Sequence, residues 1–83
     1  MDRIKNELLL KELMTRISTK LKEEKEKKEW DSVDIIIRSG ISVSALYNIE
    51  RGTADNITLK NIIALATALD MDVISLLQSP PTA

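Results

Sequence analysis

Val43, Ser44, Tyr47, Asn48 and Arg51 stand at spacings that place them on the outer side of one short helix. Leu46 and Ile49, four and seven residues after Ser42, form its inner side. The outer groups suit the edges of base pairs. A valine can touch the methyl of thymine, a serine can bond to several bases, and an asparagine can read adenine or hold a phosphate. Tyr47 is a base contact or a ring that caps the core. Arg51, at the end of the helix, is a phosphate contact or a charge that favours the C-terminal dipole.

These residues need a frame that holds the helix outward. The stretch Ser32–Gly52, SVDIIIRSGISVSALYNIERG, supplies it. Asp31 is an N-cap, with Trp30 before it as a staple. Val33, Ile35, Ile36 and Ile37 give the helix that follows its apolar content. Gly40 ends that helix, because glycine accepts the left-handed backbone. Ile41 packs in the turn, Ser42 caps the outward helix and Gly52 stops it. Helix, glycine corner, capped helix is the pattern of a helix-turn-helix, whose second member enters the major groove.

Residues 2–28 read as one long helix. Leu10, Leu13, Met14, Ile17 and Leu21 share its core-facing arc, while Ile4 and Leu8 fall on the other side. That second stripe is a candidate dimer surface. The run KLKEEKEKKE reads as a solvated face, with Glu23–Lys27 and Glu24–Lys28 at supporting four-residue spacing. Thr58 caps a fourth helix with Leu59, Ile62, Ile63, Leu65, Ala66 and Leu69 on its apolar side. Thr58, Lys60 and Asn61 open it as a second phosphate clamp, joined by Asn56 from the preceding loop. Asp72 caps a short fifth helix, VISLL. The reading is all-α, five helices around one core. Residues 1–13 are a helical extension, 14–77 the domain, and 78–83 a disordered tail.

Composition narrows the function. The chain has 83 residues, no cysteine and no histidine. Disulfides, thiolate or imidazole metal sites and the usual catalytic triads are therefore excluded. No group of carboxylates, lysines and hydroxyls suggests a reaction, so no enzyme, cofactor, metal or small-molecule ligand is expected. One tryptophan, one tyrosine and no phenylalanine leave no stacking platform for single strands. No segment reads as a membrane span or signal peptide, so a cytoplasmic protein is expected. The net charge of −1 argues against a purely electrostatic nucleic-acid binder.

IERG at 49–52, followed by NITLKNIIALATALDMDVISLL, resembles the XRE family, the helix-turn-helix domain of lambda repressor and Cro. ISTKLKEEKEKKEWDS (17–32) is similar to that family's first helix and turn. The resemblance covers roughly residues 14–77. It extends to small controller proteins of restriction–modification systems and to antitoxin-type members. It implies a five-helix, lambda-repressor-like domain that binds double-stranded DNA sequence-specifically, as a homodimer on a palindromic operator, and regulates transcription. It also implies that Ser32, where the family carries a phosphate-bonding glutamine, meets a phosphate. Glu50 should pair with Lys25, and Val73, Ile74 and Leu77 of the fifth helix should contribute to the dimer. Two positions depart from the family. Glu29 replaces the glycine that ends the first helix, so that turn is expected to be built differently. Ile36 replaces an alanine at a close helix crossing, which should shift unless its neighbours shrink.

A second function fits the same fold: a protein-interaction module or antitoxin whose main partner is a protein. The acidic balance and the apolar N-terminal arm favour it. A DNA reader loses affinity steeply with salt, whereas a partner-only module does not.

Overall fold

The computed structural model describes residues 2–53 and 57–78. The chain forms α1 (Asp2–Lys28), α2 (Ser32–Ser39), α3 (Val43–Glu50), α4 (Leu59–Ala68) and α5 (Val73–Leu77). There is no strand among the described residues. Three helix starts are set by side chains, as the sequence suggested. Asp31 accepts from the Asp34 N–H and the Asp34 carboxylate accepts from the Asp31 N–H, a reciprocal capping box. Ser42 accepts from the Ala45 N–H at 3.1 Å, and Thr58 from the Asn61 N–H at 3.1 Å. Asp72 occupies the cap position of α5 but makes no side-chain cap bond, which corrects the role expected of it.

The helix ends share one device. Gly40 (φ 73°), Gly52 (φ 70°), Glu29 (φ 57°) and Asp70 (φ 58°) all adopt the left-handed backbone. After α1, the Trp30 N–H donates to the Lys25 carbonyl at 2.9 Å and the Glu29 N–H to the Glu26 carbonyl at 3.3 Å. That is a Schellman ending. Gly52 with Thr53, and Asp70 with Met71, repeat it after α3 and α4. The turn at Glu29 is therefore not built differently. The glutamate takes the glycine's conformation and carries its strain, of order 1 kcal/mol.

The core draws on every helix. Met14, Ile17 and Leu21 of α1, Ile35 of α2, Leu46 and Ile49 of α3, Leu65 and Ala66 of α4 and Leu76 of α5 are buried, with Ile41 from the corner and Leu69 after α4. Among the described residues, no polar or charged side chain is buried with them. α1 packs on α3 and α5, and α2 on α3 and α4. Ile36 is half-buried and packs against the core, and the inward residues of α3 and α4 include the small Ala45 and Ala66. Leu59 and Ile63, expected on the inner side of α4, are exposed, and so are Val33 and Ile37 of α2. Both are four-residue pairs on the side of their helix away from Leu65 or Ile35, where hydropathy alone cannot separate inside from outside.

α1 is unbroken over 27 residues. At helical rise that is about 40 Å, which matches the molecule's longest dimension of 41 Å. Its first turns carry Ile4, Leu8 and Leu9, all more than half exposed. Leu10 packs against the core, and Leu13 is half-buried.

Candidate nucleic-acid interface

α3 is held from beneath and at both ends. Leu46 and Ile49 are each 1% exposed, and burying side chains of this size is worth about 2 kcal/mol apiece. At its start Ser42 supplies the cap. At its end the Ser18 hydroxyl of α1 donates to the Glu50 carbonyl at 2.7 Å. The Glu50 carboxylate meets Lys25 of α1 in an ion pair. The Ser32 hydroxyl of α2 donates to the same carboxylate at 2.9–3.0 Å and accepts from the Lys25 ammonium at 3.0 Å. The Lys25 and Glu50 side chains are only 23% and 21% exposed. Three helices thus meet at one charge-assisted cluster, which fixes the angle at which α3 leaves the bundle.

The cluster has two consequences. Glu50, the only acid of α3, is turned away from the outer face and neutralised. Ser32 spends its hydroxyl on Glu50, so the group expected to meet a phosphate is engaged inside the protein. Around it, the start of α2 carries the carboxylates of Asp31 and Asp34. They oppose the positive end of the helix dipole, which would otherwise attract an anion.

The outer face carries the residues singled out by spacing. Val43 is 68% exposed and Tyr47 57%, and Ser44 and Asn48 are exposed beside them. Tyr47 does not cap the core. Its ring lies under the Arg51 guanidinium, 5.0 Å from the ring centroid. This cation–π contact holds Arg51 over the C-terminal end of the face. At the start of α4, Thr58 satisfies the Asn61 N–H. The amides of Leu59 and Lys60 have no partner within the helix by its geometry. Lys60 is exposed and Asn61 half-buried. Asn56 lies outside the described residues.

The dimer candidates divide. Val73 and Leu77 are half-buried and pack against the core, and the Leu77 carbonyl accepts from Arg16 of α1 at 3.3 Å. Ile74, Ile4 and Leu8 are 64–70% exposed. Ser18, Arg16 and Arg38 were not singled out by the sequence. Arg38 stacks on Trp30 at 4.1 Å. Only its place in the last turn of α2, eight residues after the tryptophan, hinted at a role. A serine within α1 gave no hint of its bond to α3.

Two helices joined at a left-handed glycine, the second clamped with an uncharged outer face, are the arrangement of a DNA-binding helix-turn-helix. Residues 38–76 match the helix-turn-helix family model, a span from the end of α2 through the corner, α3 and α4 into α5. The match supports a helix-turn-helix of the XRE type in this part of the chain, a kind of domain that binds DNA in transcription regulators. Neither the curated proteins nor the solved structures give a match to it. No helix among the described residues is long and apolar enough to cross a membrane.

Proposed function

We propose that the protein is a sequence-specific regulator that binds a palindromic operator as a homodimer, with α3 of each protomer in a major groove. The observation that carries this reading is the clamped α3. Its inner residues are locked into the core, its one acid is withdrawn into the Lys25–Ser32 cluster, and Val43, Ser44, Tyr47 and Asn48 are left facing solvent. In this reading those four meet base edges. Arg51 and the start of α4, through Thr58, Lys60 and Asn61, hold phosphates on either side. Asn56 is a further phosphate contact. Ser32 positions α3 rather than touching DNA.

A single α3 reads only a few base pairs, and a two-fold pair places two such helices about 34 Å apart along the duplex. Ile74 of α5 and Ile4 and Leu8 of α1 are the exposed apolar residues proposed to form the dimer contact. Residues 1–13 then act as an arm attached to a domain spanning 14–77. Selection from random duplexes tests the proposal. Enriched sites with inverted symmetry and half-sites one helical turn apart support it. Enrichment of single unpaired half-sites refutes the dimer, and no enrichment refutes DNA reading and favours the protein-partner module.

A further inference from the structure

Resting on the reading of α3 as the helix in the groove, we infer that the bases this protein reads are A·T pairs, thymine through Val43 and adenine through Asn48. The inference comes from what α3 offers. Guanine is most often read by an arginine or lysine fork on its O6 and N7, and cytosine by a carboxylate that accepts from its N4. Within Val43–Glu50 there is no lysine or arginine. The one carboxylate, Glu50, is bound to Lys25 and Ser32. The nearest cation, Arg51, lies beyond the last helical residue and is stacked on the Tyr47 ring. Within α3 itself neither reader of a G·C pair is therefore free on the outer face, and the one arginine at its end is held on Tyr47.

What remains suits the other pair. Val43 is 68% exposed in the first turn of α3 and presents two methyl groups. The thymine C5-methyl is the one apolar feature of the major groove. Asn48 is exposed, and its amide carries a donor and an acceptor side by side, the complement of adenine N7 and N6. Ser44, one turn before Asn48, bonds to either kind of base and adds little discrimination.

Base analogues test each contact separately, using the full chain and the duplex it selects. Deoxyuridine in place of thymine removes only the methyl. It should weaken binding by about fourfold at a contacted position, the worth of one buried methyl group, and have no effect on Val43→Ala. Replacement of adenine by 7-deazaadenine removes the N7 acceptor. It should weaken binding on the order of tenfold and have no effect on Asn48→Ala. Both residues are exposed, so neither variant should disturb the fold. Salt-dependent binding to sites whose central half-site positions are G·C overturns this inference and leaves the DNA reading intact. So do analogue effects that persist unchanged in the two variants. Absence of binding to every duplex at low salt overturns the DNA reading, and the inference with it.

Discussion

The salt dependence of duplex binding can be worked out from the structure. Each phosphate neutralised by a lysine or arginine releases condensed counterions, and log K falls with log salt at about −0.9 per phosphate on B-form DNA. The proposed interface carries two such cations per protomer, Arg51 and Lys60. Ser44, Asn48, Thr58 and Asn61 are uncharged and add nothing to the slope. A dimer therefore neutralises four phosphates, for a slope of about −3.6 and a loss of about 150-fold between 50 and 200 mM salt. Arg51→Ala removes two contacts per dimer. Its slope should fall to about −1.8, and its loss over the same range to about 12-fold. Fluorescence anisotropy of a labelled duplex, repeated at four or five salt concentrations, reads both slopes. Lys20→Ala with Lys22→Ala on α1 is the control and should leave the slope unchanged. A wild-type slope near −7 would mean that α1 lysines face the DNA, and the docking proposed for α3 would be wrong. An Arg51→Ala slope equal to wild type would refute the phosphate role of Arg51.

Four further outcomes are expected. Glu50→Ala leaves Lys25 and Ser32 without their partner in a site about one-fifth exposed, and should cost about 1.5 kcal/mol, a Tm drop of roughly 6–12 °C by calorimetry. A double-mutant cycle with Lys25→Ala should show a coupling of about 1 kcal/mol; additive losses would contradict the cluster. Glu29→Gly relieves a left-handed glutamate and should stabilise the fold by about 0.5–1 kcal/mol, with an unchanged or lower urea midpoint counting against the strain. Leu8→Glu and Ile74→Glu replace exposed apolar groups and should leave Tm at high dilution unaltered while converting a dimer to a monomer in sedimentation; a dimer that survives both substitutions excludes that surface.

The sequence was most legible where side chains act on their own backbone. Asp31, Ser42 and Thr58 cap the helices they were expected to cap, because an N-cap is local chemistry carried by a few residue types. The glycine corner was visible for the same reason. The ends of α1 and α4 were less so. They use the same left-handed turn as Gly40, but on Glu29 and Asp70, which the packing around them forces into a conformation their side chains do not favour. Leu59 and Ile63 were misplaced because α4 carries apolar groups around most of its circumference, and only its packing shows which of them face the core. At the site, the Lys25–Glu50 pair followed from family resemblance, with no local signal. Ser32 entered the same cluster unannounced. A hydroxyl at a helix start reads equally well as a phosphate ligand or an internal bond, and only the position of Glu50, eighteen residues later, settles where this one donates.

The placement of charge explains how a chain with a net charge of −1 can still meet DNA, and why it would need to do so in pairs. Among the described residues, the acids of α2 and α3 and of the α2 cap are engaged within the protein. Glu50 is neutralised by Lys25, and Asp31 and Asp34 are committed to the cap of α2. That cap makes the start of α2 a poor anion site, so the proposed docking gives the phosphate contacts to Arg51 and the start of α4. Two cations on one protomer provide a slope of only about −1.8, characteristic of weak, easily screened association. A second protomer doubles the count and adds a second reading helix at a fixed spacing, so specificity and affinity rise together. On this account the surface proposed for the dimer is as necessary to DNA binding as α3 itself. A variant that only breaks the dimer should lose the operator as completely as one that alters the reading face.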